Sequence, residues 1–192
     1  MILFIDACVR AGSRTRRLAE HLLGRLGGPI REEKLSGLRF PDADADFIER
    51  RDALARAGSF DHPLFDIARR FAAADEVVVA APFWDLSFPS ALKRYFEQVS
   101  ALGVTFTYSP EGVPVGLCRA KKLWYVTTAG GPVISDEFGY GYVRALAQGF
   151  YGIPETQLVK AEGLDILGAD VEAILRRAER EIDALCPEQR AY

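Results

Sequence analysis

The chain has 192 residues, 49% of them hydrophobic and 27% charged, which is the make-up of a folded protein with enough length for one substantial core rather than of a disordered or fibrous chain. A formal net charge of -3 and a pI near 5.5, with arginines scattered through helical patterns, provide no basic footprint, so nucleic acid is excluded as a partner. Three widely separated cysteines (Cys8, Cys118 and Cys186) and two histidines argue against both a disulfide scaffold and a zinc site, and no metal is expected.

Residues 2–5 form a short apolar run. It is too short for an export signal, is followed by Asp6, and has its positive charge on the wrong side; it reads as a buried strand, and no run is long enough to cross a bilayer. A cytoplasmic protein with no membrane partner, folded as one domain over residues 1–192, is the expectation. Leu18, Ala19, Leu22, Leu23 and Leu26 then recur on one helix face. Residues 30–35 read as a second strand and 44–57 as a short helix ended by Gly58. Asp61 is placed to cap the next helix, whose apolar face is Leu64, Ile67, Ala68 and Phe71.

Residues 77–81 are a fully apolar strand. Pro89 suits the first turn of the helix after it, Leu92, Phe96 and Val99 form its buried stripe, and Gly103 stands where a C-terminal cap belongs. Residues 104–117 alternate apolar and polar around the turn "SPEG" and read as a hairpin-like insertion outside the core. A strand over 123–127, a helix over 137–150, a strand over 156–161 and an amphipathic helix through Val171, Ile174, Leu175, Ala178, Ile182 and Leu185 complete the chain.

Such alternation predicts an α/β fold: a five-stranded parallel sheet in the flavodoxin-like order 2-1-3-4-5, with helices on both faces. Ligands collect beyond the carboxyl ends of the strands in such a sheet. Three loops qualify. In "ACVRAGSRTRR", Ser13 and Thr15 stand at a helix start beside Arg10, Arg14, Arg16 and Arg17, which suits either a phosphate or an ordinary helix cap with a solvated face. In "PFWDLSFP", Phe83 and Trp84 suit a flat aromatic ligand, core packing or a subunit interface. In "TTAGGP", Gly130 and Gly131 permit close approach of a ligand or simply a turn. Function is favoured because one loop suited to phosphate and two suited to a planar ring coincide on adjacent strands.

The stretch "APFWDLSFPSALKRYFEQVSALGVTFTYSPEGVPVGLCRAKKLWYVTTAGG", the later "GFYGIPE" and the first loop together resemble the FMN-dependent NADH azoreductase and NAD(P)H quinone reductase family of the flavodoxin-like superfamily. The resemblance covers nearly all of the chain. It implies FMN as cofactor, NADH or NADPH as electron donor, and a quinone or azo compound as aromatic acceptor. It also implies ping-pong two-electron transfer at the flavin N5 without a protein catalytic residue, and a homodimer.

Carried over position by position, Ser13 and Thr15 would hold the FMN phosphate, Pro82, Phe83, Trp84, Asp85 and Leu86 would line the isoalloxazine, and Thr128, Ala129, Gly130 and Gly131 would meet its pyrimidine side. The sequence departs from the family at three places. A hydroxyl-bearing position early in the first loop is Ala7 or Cys8 here, with Arg10 as the compensating phosphate ligand; the family's Asn is Asp85 and its Arg is Ala129. Cys8 reads as a small buried residue, His21 and His62 as surface residues, and Phe106, Tyr108, Tyr140 and Tyr142 as a partner-facing or substrate-facing surface. Two alternatives stand beside the enzyme: a flavodoxin-like electron-transfer protein, and a dimeric binding module that has lost FMN.

Overall fold

The computed structural model describes residues 1–186. Five parallel strands form the central sheet: β1 (Ile2–Asp6), β2 (Ile30–Lys34), β3 (Glu76–Ala80), β6 (Lys122–Thr128) and β7 (Glu155–Ala161). Their order is β2-β1-β3-β6-β7. Between β3 and β6 the short strands β4 (Phe106–Tyr108) and β5 (Pro114–Gly116) pair antiparallel as a separate hairpin. Setting that hairpin aside, the order is the expected 2-1-3-4-5.

Successive side chains of a strand point to opposite faces, and both faces here are buried. On one face Leu3, Ile5, Val77, Val79, Leu123 and Tyr125 pack with Leu92 and Phe96 of α4 (Ser90–Val99), Phe71 of α3 (Asp66–Ala72) and Val143 of α5 (Tyr142–Leu146). On the other, Ile2, Phe4, Val78, Ala80, Trp124 and Val126 pack with Leu18 and Leu22 of α1 (Arg14–Leu26) and with Leu175 and Ile182 of α6 (Val171–Leu185). β1 lies between β2 and β3, and the chain leaves β1 toward one face and β3 toward the other. The loops after these two strands therefore diverge, and a crevice opens between them.

Several local expectations change. Asp61 caps nothing; His62 caps instead, its Nδ1 accepting from Leu64 N–H at 3.1 Å, because Pro63 opens a tight turn (Pro63–Phe65) ahead of α3. α4 stops at Val99 rather than running to Gly103. The Thr105 hydroxyl donates to the Val99 carbonyl at 2.7 Å and satisfies the helix end from outside, while Gly103, at φ +81°, turns over the Phe60 ring. The expected helix over 137–150 is α5 flanked by two wide π-type segments, Glu137–Gly141 and Ala147–Tyr151. The hairpin is not peripheral: Gly116 lies so close on Gly152 that a side chain on Gly116 would overlap its backbone, and Phe106 is buried against Phe150 with ring centroids 4.8 Å apart. Leu185, assigned to the buried stripe of the last helix, is instead an exposed hydrophobic residue.

α2 (Ala45–Arg56) has no fully buried residue. No helix among the described residues is long and apolar enough to cross a membrane.

Candidate active site

The crevice is a cavity of about 220 Å³ lined by three sequence-selected loops and a fourth. From the first loop come Val9, Arg10, Gly12, Ser13, Arg14 and Thr15; from the second Pro82, Phe83 and Trp84; from the third Thr128, Ala129 and Gly130; and from the loop after β7 Leu164 and Asp165. Nine of the proposed cofactor-binding positions thus meet in one place: Arg10, Ser13, Thr15, Pro82, Phe83, Trp84, Thr128, Ala129 and Gly130. Asp85, Leu86 and Gly131 are not among the lining residues.

The ladder of the sheet runs past the strand ends and fixes these loops. Ala7 N–H donates to the Ala80 carbonyl at 2.9 Å, Ala81 N–H to Val126 at 3.0 Å and Phe83 N–H to Thr128 at 3.0 Å. Ala129 N–H reaches Ala161 at 2.9 Å. The cavity floor is therefore as rigid as the sheet.

At one end of the cavity is the start of α1. Ser13 is its N-cap, the hydroxyl accepting from Arg16 N–H at 3.2 Å and lying within hydrogen-bond reach of the Cys8 thiol. The N–H groups of Arg14 and Thr15 have no hydrogen-bond partner among the described residues, as the first turn of a helix requires, and the helix dipole adds positive potential there. Thr15 is buried, its Oγ1 2.6 Å from Thr128 Oγ1, which ties the first loop to the third.

The arginines divide sharply. Arg16 is committed to the buried carboxylate of Asp6 and to Glu20 (2.8 Å) and Glu32 (2.6 Å), and its pKa is pushed up chiefly by the Glu32 hydrogen bond. Arg17 holds Glu172 at 2.8 Å and Glu179 at 2.9 Å. Arg14 donates to Asp165 Oδ1 at 2.9 Å and to the Leu164 carbonyl at 3.1 Å. Arg10, exposed at the cavity, has no ion pair among the described residues.

At the other end, Trp84 and Ser87 close a tight turn with Asp85 and Leu86 at φ +50° and +67°. Left-handed backbone at two consecutive non-glycine residues costs roughly 1–2 kcal/mol each. This accounts for Asp85, since Asp and Asn are the side chains that tolerate this conformation best after glycine. Ser87 Oγ donates to the Phe138 carbonyl at 2.5 Å and anchors the turn to the segment after β6.

Cys8 is buried, its N–H donates to Asp6 Oδ1 at 2.9 Å, and burial pushes its thiol up to about 12; it is an inert packing residue. Of the aromatic surface expected around the hairpin, Phe106 is buried and Tyr140 and Tyr142 are half-buried in ring contacts, leaving Tyr108 exposed. Among the described residues no group of three or more His, Cys, Asp or Glu side chains is placed to hold a metal ion.

Sequence reasoning missed Val9, Leu164, Asp165 and the part played by Arg14. The loop after β7 ends a strand at the same edge as the other three, and the rule that selected those three would have included it.

The fold and this crevice define an open parallel α/β protein with a cavity at the topological switch point. A family described as flavodoxin-like fold matches residues 1–185, and the chain belongs to it. "FMN-dependent NADH:quinone oxidoreductase 2" of Clostridium acetobutylicum is 45% identical over 121 residues, 60% of each chain. "FMN-dependent NADH:quinone oxidoreductase" of Lachnoclostridium phytofermentans is 32% identical over 196 residues, covering 97% of this chain and 98% of that one. Among solved structures, azoreductase AzrA superposes with a TM-score of 0.81 at 26% identity over 96% of this chain and 98% of that one.

Proposed function

We propose that this protein is an FMN-dependent oxidoreductase that takes electrons from NADH or NADPH and reduces quinones or azo compounds. The observation that carries the reading is that one cavity joins a phosphate-suited end to an aromatic one. Arg10, the Ser13 hydroxyl and the unpartnered Arg14 and Thr15 N–H groups lie at the first end, and Phe83 and Trp84 at the second, with Thr128 to Gly130 forming a wall between loops. These residues fit FMN: a cation without an ion pair, together with free helix-start donors, matches a phosphate. Glycine backbone and aromatic side chains match a flat ring.

When bound, the flavin supplies the two-electron chemistry. The chain's own residues bind, orient and shield. Arg10 and the α1 terminus would hold the phosphate end, Phe83 and Trp84 would flank the ring, and Thr128, Ala129 and Gly130 would border its polar edge, with Gly131 behind them outside the lining. Asp85 and Leu86 contribute through the backbone of the strained turn, which holds Trp84 at the cavity mouth. The site contains no histidine or thiol suited to acid–base work, and solvent serves for protons.

The turn leaves Trp84 and Leu86 exposed, and Ile134 and Phe138 are exposed on the segment tethered to it, which supports a homodimer that covers this edge of the site. We place the reaction in the cytoplasm, where pyridine nucleotides are available. Purified protein titrated with FMN should become yellow and retain the flavin through gel filtration at a dimer's elution volume. It should then turn over NADH or NADPH continuously when a quinone or azo dye is present. A colourless protein that ignores FMN overturns the reading, and flavin binding without pyridine-nucleotide turnover favours the electron carrier instead.

A further inference from the structure

Three charged side chains line the cavity: Arg10, Arg14 and Asp165. Arg14 is the first residue of α1 and reaches across the site to Asp165 on the loop after β7, with Nη1 2.9 Å from Oδ1. The carboxylate stands on a fixed wall. Asp165 N–H donates to the Gly130 carbonyl at 2.9 Å, and its side chain fills the space that a Cβ on Gly130 would need. The same wall is stitched by Leu164 N–H to Ala129 at 3.2 Å and Gly163 N–H to Gly131 at 3.2 Å.

We propose that Arg14 and Asp165 are a mutually neutralising pair that sets how tightly the cavity holds the phosphate of its flavin, and so how strongly it prefers FMN over riboflavin. The inference rests on the flavin reading above. A flavin phosphate carries between one and two negative charges near neutral pH. With Arg14 held by Asp165, the lining opposes it with the single net charge of Arg10, since Arg16 and Arg17 are committed to carboxylates outside the cavity. Asp165 is thus a specificity-determining residue: removing its charge frees that of Arg14, and removing Arg14 leaves a bare carboxylate in the cavity lining. Removing both returns the lining to its original net charge.

The test is a flavin-fluorescence titration of wild type, Asp165→Asn, Arg14→Gln and the double variant with FMN and with riboflavin, at low and high salt. A thermal melt of each protein confirms that it is folded. Asp165→Asn should bind FMN about tenfold more tightly and Arg14→Gln about tenfold more weakly, with the double variant within about threefold of wild type. Riboflavin affinity should stay within about twofold throughout, and the FMN differences should shrink as salt rises. An Asp165→Asn protein that binds FMN no better than wild type, or a double variant as weak as Arg14→Gln, overturns the proposal. Wild type that binds neither flavin overturns the functional reading beneath it, an outcome distinct from wild type that binds FMN while Asp165→Asn gains nothing.

Discussion

Trp84 and Ser87 exchange backbone hydrogen bonds, Trp84 N–H to the Ser87 carbonyl at 3.0 Å and Ser87 N–H to the Trp84 carbonyl at 2.8 Å, across two residues with positive φ. That is the geometry of a type I′ turn, which ordinarily takes Asn-Gly and here takes Asp85-Leu86. Leu86 carries the greater strain, since it has no polar group to bond locally. Leu86→Gly should therefore raise stability by about 0.5–1 kcal/mol, and Asp85→Asn should be nearly neutral. Denaturant unfolding measures both; a destabilised Leu86→Gly protein would mean that the exposed leucine packs against something worth more than the strain.

Arg10 and Arg16 lie on one loop and helix start but have opposite roles. Arg10→Ala should leave the unfolding midpoint unchanged and weaken FMN binding by about tenfold, because it removes the proposed phosphate ligand, a side chain with no ion pair among the described residues. Arg16→Ala should cost about 3 kcal/mol, because it strands the fully buried Asp6 carboxylate. Paired melts and FMN titrations separate the two, and equal loss of stability in both variants would refute the division.

Ser13→Asp keeps a good helix cap while turning a carboxylate toward the phosphate. The melt should be unaltered, FMN affinity should fall by more than about tenfold, and riboflavin affinity should hold. FMN affinity equal to wild type would remove Ser13 from the phosphate end.

Gly116 and Gly131 respond differently to a methyl group. Gly116→Ala drives a Cβ into the Gly152 backbone, which cannot yield like a side chain, so a loss of about 3 kcal/mol or failure to fold is expected. At Gly131 the same atom meets nothing within 4 Å, so Gly131→Ala should be neutral within about 0.5 kcal/mol. Expression level and unfolding midpoint distinguish them.

Alkaline pH should weaken the fold through two thiols, Cys8 buried and Cys118 half-buried. Burial pushes Cys8 and Cys118 each up to about 12 from an ordinary 9.0, so the folded state keeps both protons where the unfolded chain releases them. Their contribution is complete below about pH 9 and declines as pH rises from there toward 12. Urea midpoints at about pH 8, 9.5 and 10.5 should fall progressively, and Cys8→Ser should flatten part of the fall. A pH-independent midpoint would contradict the shielding of these two thiols from water.

Much of the architecture was legible as local pattern. The apolar runs now seen as β1, β3 and β6, and the helical spacing of Leu18 to Leu23 and of Leu92 to Val99, are properties of contiguous residues and fix which faces are buried. Alternation with crossover helices then leaves few topologies, so the strand order followed, and with it the edge at which Ser13, Phe83 and Gly130 converge. The boundaries of α4 and the winding over 137–151 were not legible, because Thr105 and the packing of Gly116 on Gly152 decide them from outside the segments concerned.

Hydrophobic period and crossover length are local quantities, so the order of residues alone specifies the sheet, its strand order and three of the four loops around the cavity. Which charges act there is settled by folding. "RAGSRTRR" offers four arginines that look alike in a string, and three of them are defined mainly by partners brought in from elsewhere: Asp165 for Arg14, Asp6 and Glu32 beside the local Glu20 for Arg16, Glu172 and Glu179 for Arg17. Arg10 is left facing the cavity because the fold brings no carboxylate to it among the described residues. Ion pairing depends on distances across the folded chain, and no spacing within eight residues encodes them.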